Sequence, residues 1–573
     1  MTSPLHSRYD YSTPLVGRAD ADGAASDGGY SSDGDISSIY GAYSRYKTLR
    51  HKRWTPVLLP PARRSRTRTQ ISNGSPLPNI HKLPNNVLLE IFTFYGTDVF
   101  SEPGGHKYWW QTLALVCSKW DGVIRSSPSY FFGELRFGNH DSTLFFKNIS
   151  HQRGDSVTRS LDRSPLLPLN LHYDLICPLS QSSKGDEDDI VALLRHLERV
   201  YSLQLRLSLS TWREIAAATS DVPVSCTCIE HIYLDTGDRA TGFVLPDVFL
   251  KGHSPRLRTL MMIGVFLPSL SSLLLSPTRL SCLVLDGIPD LSHLPPRELL
   301  VHLNNMPQLR YLNIGFLSTN HHRRLAGDVN PTLDRVALPH LKRFHFRGAC
   351  TYLESLVTNL DAVAVYELVF TLFHQLKYAI PQVSAFLRRT KRFGFDGIRI
   401  NFWPEGLVVS ASPVISPSPK DVLCLRIPCA RLDFQVASAA QICRALRPNF
   451  TNMEDLFVRY HQNQLPMQWH DGEVDPTLWK DLLSQFPGMK TLWISSALVS
   501  EVTASMSYDT LQLFEELPIL AWIVVETHGD DTSTAAARSL SELLASVRSM
   551  GGPVIDVYRL FSDKWKTGTL PRR

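Results

Sequence analysis

Apolar residues recur at helical spacing in the segment "HKLPNNVLLEIFTFYG", residues 81–96. Pro84 suits a first helical turn, and Asn85 or Asn86 can cap it or lead into it. The apolar stripe of the predicted helix consists of Val87, Leu88, Ile91, Phe92 and Tyr95. Because Leu89 lies well off this stripe, the helix is apolar around most of its circumference. We therefore expect it to be buried on more than one side.

A second helical pattern lies in "WWQTLALVCSKWDGVIRSSPSYF", residues 109–131. The polar segment between the two patterns contains Pro and Gly and is predicted to be a loop. Apolar positions of the second helix are Trp110, Leu113, Cys117, Trp120 and Ile124. Together the two patterns predict a helical module of about 60 residues, a size at which a core alone is marginally stable. A partner protein or an adjoining domain is expected to cover its remaining apolar surface.

The two halves of this module, "LPNNVLLEIF" and "LALVCSKWDGVIRSSPSYF", resemble the F-box. The family often has Glu where Asn86 stands, and its helices are usually joined by a shorter loop than residues 96–108; long joins of this kind resemble those of fungal (basidiomycete) F-box proteins. The resemblance implies docking on a Skp-type adaptor and, through it, on a cullin. The residues that carry the resemblance, and that it implies as adaptor-binding, are Leu83, Pro84, Leu88, Ile91, Phe92, Leu113, Val116, Cys117 and Trp120. An ordinary helical hairpin packed on the next domain remains the alternative.

A pattern of the form apolar-x-x-apolar-x-apolar repeats after the module. It occurs as "VYSLQL" at 200, "IEHIYL" at 229, "LRTLMM" at 257, "LSCLVL" at 280, "LRYLNI" at 309 and "LKRFHF" at 341. Weaker copies start at 365, 390, 422, 453, 489 and 519. Each copy predicts a short strand followed by a loop and usually by a helix. The acidic residues 186–189 are expected at such a helix start, where they suit the helix dipole, and not in a metal site.

Stacked units of this kind bury a continuous core that no single unit could bury alone. The predicted fold class is therefore α/β: a short all-helical module, then an irregular α/β solenoid over residues 170–560 that resembles the leucine-rich repeat. The Asn or Cys that this family has after the third anchor is missing, since Gly237 and Leu317 stand there in two units.

Alternation along the predicted strands indicates which side chains face away from the core. Aromatic and Arg side chains are the usual anchors of protein interfaces. The predicted substrate-binding residues are His231, Tyr233, Asp235, Arg343, His345, Arg347, Phe457, Arg459 and Trp493.

The net charge of +5 lies in the amino-terminal tail. Residues 1–44 hold two Arg and six Asp, and residues 45–68 hold nine Lys or Arg and no acid. Because the rest of the chain is neutral, no nucleic acid is expected as a partner. The tail, residues 1–75, is predicted to be disordered. Its basic cluster is interpreted as a solvated arm, with a nuclear import signal or a polyanion contact as alternatives. The predicted domains are 1–75 tail, 76–137 helical module, 138–169 linker or first irregular segment, 170–560 solenoid and 561–573 tail.

Motifs of several enzyme classes are missing from the sequence, among them the phosphate-binding and dinucleotide-binding glycine loops, H-E-x-x-H and G-x-S-x-G. The pairs Cys226/Cys228 and Cys424/Cys429 lack the matched second pair of a zinc site, so no metal or other cofactor is expected. Loops near 321–324 and 470–475 hold His and acidic residues without organised partners. No signal peptide and no apolar run of about 18 residues occurs. We therefore expect an intracellular protein, in the cytoplasm or the nucleus, without a membrane partner.

Together these features predict the substrate-recognition subunit of a cullin-type (SCF) ubiquitin ligase, with no catalytic site of its own. The helical module would bind the adaptor and the solenoid would bind a protein substrate. Two alternatives remain open at this stage: a repeat scaffold whose helical module only closes the core, and an enzyme of a class without a recognisable motif.

Overall fold

The computed structural model describes the chain between residues 83 and 561 with gaps. The described residues are 83–100, 113, 116–126, 135–137, 161, 169–176, 184–219, 228–237, 242–245, 254–266, 273–274, 278–289, 294–317, 335–373, 375, 377–390, 395–412, 422–429, 431–450, 453–460, 475–508, 517–527, 534–549 and 554–561. The predicted disordered tail, residues 1–75, and its basic cluster lie outside them. All described residues belong to one compact unit, Ile80–Arg573.

Sixteen strands form one sheet. They are β1 (Leu135–Phe137), β2 (Leu169–Asp174), β3 (Val200–Arg206), β4 (His231–Asp235), β5 (Thr259–Ile263), β6 (Cys282–Ile288), β7 (Tyr311–Phe316), β8 (Arg343–Gly348), β9 (Glu367–Leu372), β10 (Gly397–Trp403), β11 (Gly406–Ser412), β12 (Leu423–Pro428), β13 (Asp455–Tyr460), β14 (Thr491–Ser495), β15 (Trp522–Thr527) and β16 (Asp556–Phe561). Two pairs of two-residue strands lie outside this sheet: Phe243–Val244 with Val265–Phe266, and Val336–Ala337 with Leu360–Asp361.

Eleven α-helices are described. They are α1 (Asn85–Phe100), α2 (Ser118–Ser126), α3 (Lys184–Leu194), α4 (Leu209–Thr219), α5 (Pro296–Asn304), α6 (Cys350–Thr358), α7 (Pro381–Arg389), α8 (Leu432–Leu446), α9 (Pro476–Leu483), α10 (Val499–Tyr508) and α11 (Thr534–Ser549). The acidic residues 186–189 lie in the first two turns of α3, as predicted. No helix among these described elements is long and apolar enough to span a membrane.

The sheet follows the chain, because nearly every strand lies next to the strand before it in sequence. The order is β1-β2-β3-β4-β5-β6-β7-β8-β9-β12-β11-β10-β13-β14-β15-β16. All neighbours are parallel except β11, which runs antiparallel to both β10 and β12. One unit of the series thus contributes an antiparallel meander of three strands in place of a single strand.

Aligned registers bring the middle anchor residues of successive strands into one buried row. Leu203 of β3 pairs with Ile232 of β4, which pairs with Leu260 of β5. The row continues through Leu283, Leu312, Phe344 and Leu368, and all of these side chains are fully buried. Every helix from α3 to α11 contributes buried side chains to the same main core. The helices therefore cover one face of the sheet, and each buried Leu or Ile there contributes about 1.5–3 kcal/mol.

The mixed α/β architecture predicted from the repeated pattern is confirmed, with a large and mostly parallel sheet. The predicted strand at "TKRFGF", residues 390–395, lies largely outside the described residues; α7 ends before it at Arg389, and the next described strand begins at Gly397. The antiparallel pair β10–β11 was not predicted. Residues 135–137, assigned from sequence to the helical module, form the strand β1, which pairs with β2.

Candidate functional site

The two described helices of the helical module pack through five buried apolar side chains. Phe92 of α1 and Trp120 of α2 meet edge to face, with ring centroids 4.7 Å apart. Leu88, Leu113 and Val123 complete the cluster. The edge-to-face arrangement is favoured by the ring quadrupoles. These side chains form the core of the module and are not available for contact with a partner.

The start of α1 is held against α2 by a side-chain hydrogen bond, and backbone hydrogen bonds close its own first turn. The Lys119 Nζ donates to the Leu83 carbonyl over 2.9 Å. The Pro84 carbonyl accepts from the backbone N–H groups of Val87 and Leu88, both at 3.1 Å. Since Pro84 has no N–H, its place just ahead of Asn85 adds no unsatisfied donor to the helix start. The Leu-Pro pair that opens the module is therefore fixed in position.

The nine residues predicted to bind an adaptor divide into three groups. Leu88, Phe92, Leu113 and Trp120 are buried in the core of the module, and Leu83 and Cys117 are half-buried against it. The exposed ones are Pro84, Ile91, whose exposed fraction is 40%, and Val116, at 53%. The expectation that α1 is buried on more than one side is thus not met at Ile91. These three residues are the candidate docking surface of the module.

A second candidate site is the sheet face that lies away from the helices, which we call the opposite face. Its side chains alternate along each strand with residues of the main core. Tyr233, for example, lies between Ile232 and Leu234, both of which belong to that core, whereas Tyr233 does not. All nine predicted substrate-binding residues alternate in this way: His231, Tyr233, Asp235, Arg343, His345, Arg347, Phe457, Arg459 and Trp493.

One polar group on the opposite face is centred on Arg206 of β3. Its guanidinium lies 3.4 Å from Asp174 Oδ2 on β2 and 3.5 Å from Asp235 Oδ2 on β4. The Tyr233 hydroxyl donates to the same Asp235 oxygen over 2.8 Å. The backbone N–H of Gly237 donates to the other oxygen of Asp235 over 2.7 Å. The buried carboxylate of Asp235 is therefore fully engaged within the protein.

A second polar group surrounds His345 of β8. Its Nδ1 lies 3.1 Å from the Tyr311 hydroxyl, and its Nε2 lies 3.1 Å from Glu367 Oε1. Arg343 Nε pairs with the other Glu367 oxygen at 2.9 Å. Burial raises the pKa of Tyr311 far above its usual range, so that its hydroxyl stays protonated at neutral pH. Nearby, Arg347 Nε donates to the Phe316 carbonyl over 3.2 Å.

A third group combines aromatic and ionic side chains on β10, β13, β14 and β15. The rings of Phe457 and Trp493 stack with centroids 5.1 Å apart. The guanidinium groups of Arg399 and Arg459 lie 5.5 and 5.4 Å from the centre of the Phe457 ring. Arg459 Nε also donates to Glu526 Oε2 over 2.7 Å, in a two-point ion pair. Such stacked and bidentate geometry fixes the arginine in one orientation.

The carboxyl group of Asp455 completes this third group. Its Oδ1 accepts a hydrogen bond from Trp493 Nε1 over 3.2 Å. Burial raises the pKa of Asp455 above its usual range, and the hydrogen bonds from Trp493 and Thr491 oppose that shift. Because Trp493 both stacks and donates, its position is determined at two points.

The structure brings the predicted residues together in three groups and not in one site. Burial limits what they can contact, since Tyr233, Asp235, Phe457 and Trp493 are buried. The expectation that these four are available at the surface is wrong, because neighbouring strands pack their side chains against one another. The half-buried ones are His231, Arg343, His345, Arg347 and Arg459. Their role in substrate binding stays a prediction.

Sequence reasoning missed the partners that complete these groups. They are Asp174, Arg206, Tyr311, Glu367, Arg399, Asp455 and Glu526. Strand alternation could have placed each of them on the opposite face. Their pairings depend on the register between strands, which no single strand sequence reveals.

The described cysteines are free thiols. Burial raises the pKa of Cys282 and of Cys350 to about 12, so both are protonated at neutral pH and are poor nucleophiles. Cys350, Cys424 and Cys429 are buried, and Cys282 is half-buried. Within the described ranges, no group of three or more His, Cys, Asp or Glu is placed to hold a metal ion.

Two loops singled out in the sequence fall largely outside the described residues, namely 321–324 and 470–474. Asp475, at the end of the second loop, caps α9 by accepting from the Thr477 N–H over 2.9 Å. Its carboxylate therefore has a structural role at a helix start.

Comparisons with protein-family models and with curated protein sequences give no match to this chain. The functional argument therefore depends on the residues and contacts described above.

Proposed function

We propose that this chain is the substrate-recognition subunit of a cullin-type (SCF) ubiquitin ligase. In this proposal the helical module binds a Skp-type adaptor, and the sheet with its helices binds a protein substrate. The chain would carry no catalytic residue, because ubiquitin transfer is promoted by holding the substrate near the charged partner enzyme. A location in the cytoplasm or the nucleus is part of the proposal.

One observation carries the proposal: the module satisfies its own core and still leaves apolar residues of the F-box-like pattern exposed. Phe92 and Trp120 close the interior, whereas Ile91 and Val116 remain at the surface. The Leu83–Pro84 segment is held to α2 by the hydrogen bond from Lys119 to the Leu83 carbonyl. Single exposed apolar side chains are common on protein surfaces, so the weight of these two comes from their positions in the F-box-like pattern. They supply the docking surface that the F-box resemblance implies.

We also propose that the sheet and its helices form a leucine-rich-repeat-like α/β solenoid. The strand order supports this, since successive units add parallel strands side by side with their helices on one face. Corresponding leucines just before β5, β6, β7 and β8 are fully buried, as expected for repeated units. The antiparallel meander β10–β12 makes the series irregular.

The alternative proposal is a repeat scaffold whose helical module only caps the solenoid. A cap would join its buried side chains to the core that it closes. In the described part of the chain, however, the cluster of Leu88, Phe92 and Trp120 is separate from the main core. This separation favours a module with an interaction of its own.

The test is retention of a purified Skp-type adaptor, in complex with the amino-terminal domain of a cullin, by the immobilised full chain. An Ile91→Asp, Val116→Asp double variant is expected to reduce retention at least tenfold, because burial of unpaired carboxylates in an apolar interface is unfavourable. The matched control is Val301→Asp on α5, since Val301 has an exposed fraction of 47%, close to that of Val116. This control should retain the adaptor like the wild type.

Two results would contradict the proposal. One is that the wild-type chain fails to retain the adaptor. The other is that the Val301→Asp control loses as much retention as the double variant, which would mean that the effect is unspecific. Circular dichroism of each variant establishes that the chain is folded before the retention is compared.

A further inference from the structure

Charged residues line the edge of the sheet at which the parallel strands β5 to β8 begin. The residues just ahead of these strands are joined by backbone hydrogen bonds. The Ser281 N–H donates to the Arg258 carbonyl, the Arg310 N–H to the Ser281 carbonyl and the Lys342 N–H to the Arg310 carbonyl, each over 2.8 Å. These residues therefore lie side by side, about 4.8 Å apart from one strand to the next.

Buried leucines determine which residues at this edge of the sheet face away from the core. The residue just before each member of the row is fully buried in the main core: Leu257, Leu280, Leu309 and Leu341. The charged residues that follow are consequently presented at the rim of the sheet. Two further arginines, Arg256 and Arg279, lie in the turns before β5 and β6.

Four cations of this edge are exposed: Arg256, Arg279, Arg310 and Lys342. We call these four residues the basic edge. Arg258, by contrast, is paired with Glu230 at 3.2 Å. Within the part of the chain that the structure describes, none of the four cations forms an ion pair. The basic edge therefore carries four positive charges that are available to an external anion.

The repeated architecture does not by itself produce this charge. In the later strands the Lys490 N–H donates to the Glu454 carbonyl over 2.8 Å, so Lys490 holds the same position in a second row. There the Lys490 ammonium group pairs with the Glu454 carboxylate. The next residue in that row is Ala521, whose N–H donates to the Lys490 carbonyl. At this position of the later strands the positive charge of Lys490 is therefore balanced by a neighbouring carboxylate.

We propose that the basic edge binds an acidic segment of another protein in an extended conformation. From β5 to β8 the row spans about 14 Å, the length of four or five residues of extended chain. Carboxylates on alternate residues of such a chain are spaced about 6.6–6.8 Å apart. Arg310 and Lys342 stand in the row on adjacent strands, one step of about 4.8 Å apart, and Arg256 and Arg279 precede the row by two residues at β5 and β6. The long side chains of these four residues reach carboxylates at this spacing.

An acidic peptide fits the basic edge better than a single-stranded nucleic acid does. Proteins that bind single strands combine cations with aromatic side chains on which bases stack. Between Arg258 and Lys342 the row holds Ser281 and Arg310 and no aromatic residue. The next position of the row is Tyr366, whose N–H donates to the Lys342 carbonyl, and its ring and hydroxyl are already engaged by Arg343. The proposal concerns this surface alone and does not depend on adaptor binding by the helical module.

The test is fluorescence anisotropy of a labelled nine-residue peptide with Asp at alternate positions, titrated with the full chain at 50 mM salt. An Arg310→Glu, Lys342→Glu double variant is expected to weaken binding about tenfold or more, because two attractive contacts become repulsive. The analogue with Asn in place of Asp should not bind. Raising the salt to 300 mM should weaken binding of the Asp peptide by the wild type, since exposed charges are screened.

The matched control is an Arg213→Glu, Arg297→Glu double variant, which makes the same change of net charge on the exposed surfaces of α4 and α5. It should bind the Asp peptide within twofold of the wild type. Equal weakening in both double variants would overturn the proposal in favour of general charge attraction. Absence of binding by the wild type would also overturn it.

A labelled oligonucleotide of the same net charge separates the two classes of anion. Tighter binding of the oligonucleotide, lost in the Arg310→Glu, Lys342→Glu variant, would overturn the peptide assignment in favour of nucleic acid. Thermal unfolding shows whether the charge reversals leave the chain folded. If they do not, Arg310→Ala, Lys342→Ala replaces them, with an expected weakening of about threefold.

Discussion

The backbone conformation of Gly237 helps to position the Asp235 carboxylate on the opposite face. Gly237 follows β4 with a φ of 72°, and its N–H donates to Asp235. A Cβ at this position would lie 2.2 Å from Ile176 Cδ1. A left-handed conformation costs an L-residue about 1–2 kcal/mol. We therefore predict that Gly237→Ala lowers the free energy of unfolding by about 1–2 kcal/mol, measured by urea denaturation.

Gly122 provides the control for this prediction. It lies inside α2, and a Cβ there would meet no atom within 4 Å. Gly122→Ala should stabilise the helix by about 0.5–1 kcal/mol, because alanine loses less backbone entropy. Slower amide exchange in α2 would show this gain. Destabilisation by both substitutions would contradict the conformations assigned to the two glycines.

Alternation along a strand was sufficient to predict the face on which each candidate residue lies. It could not predict the neighbours of that residue. Arg459 on β13 pairs with Glu526 on β15, 67 residues later. The pair spans β14, which lies between the two strands in the sheet. The burial of Phe457 likewise results from its stack on Trp493 of the next strand. Such contacts depend on strand order and register, which local sequence patterns do not contain.

At the scale of elements, the repeated apolar pattern predicted most strands and missed the hairpin β10–β11. The strand β10 does alternate, with Ile398, Ile400 and Phe402 buried. It was overlooked because one strand was expected in each unit. The residues "WPEG", 403–406, carry Pro and Gly signals of a turn. A Cβ on Gly406 would lie 2.5 Å from the Ile427 carbonyl oxygen, so only glycine allows β12 this close.

Contacts between helices of successive units are also specific. Glu354 of α6 accepts hydrogen bonds from the backbone N–H groups of Gln382 and Val383, at 2.8 and 2.9 Å. These donors open α7 and have no partner within their own helix. We predict that Glu354→Ala lowers the free energy of unfolding by about 1–2 kcal/mol, because a helix cap is lost.

Urea denaturation at pH 7 measures this effect, with Ser355→Ala as the control. Ser355 is the next residue of α6, and its hydroxyl only donates to the Thr351 carbonyl of the same helix. The control should change stability by less than about 0.5 kcal/mol. Equal effects of the two substitutions would show that the link between α6 and α7 contributes nothing measurable.

At the scale of the whole molecule, the repeat pattern predicted a mixed α/β chain with helices after its strands. It did not predict that the sheet would reach back to residues 135–137. The predicted solenoid extended to residue 560, but no strand was predicted at 556–561. Both edge strands lack the full anchor pattern, and their place is set by pairing with β2 and β15. The sequence also did not predict whether the helical module shares a core with the rest of the chain, because apolar residues of both parts form similar patterns.

The separate core of the helical module has a consequence for the cooperativity of unfolding. Phe92 belongs only to the cluster of the module, whereas Phe344 of β8 belongs to the main core, and both are fully buried. Removal of a buried phenylalanine costs about 3–5 kcal/mol. We predict that Phe92→Ala increases hydrogen exchange in α1 and α2 and leaves β3 to β9 protected, as measured by mass spectrometry of the intact chain.

Phe344→Ala is the matched variant, and it should increase exchange in the strands around β8 without affecting α1 and α2. The two patterns together would establish that the module keeps its structure independently, as a docking module requires. If Phe92→Ala instead opened the strands β3 to β9, the module and the sheet would unfold as one cooperative body. A helical cap that closes the solenoid would then explain α1 and α2 better than an adaptor-binding module.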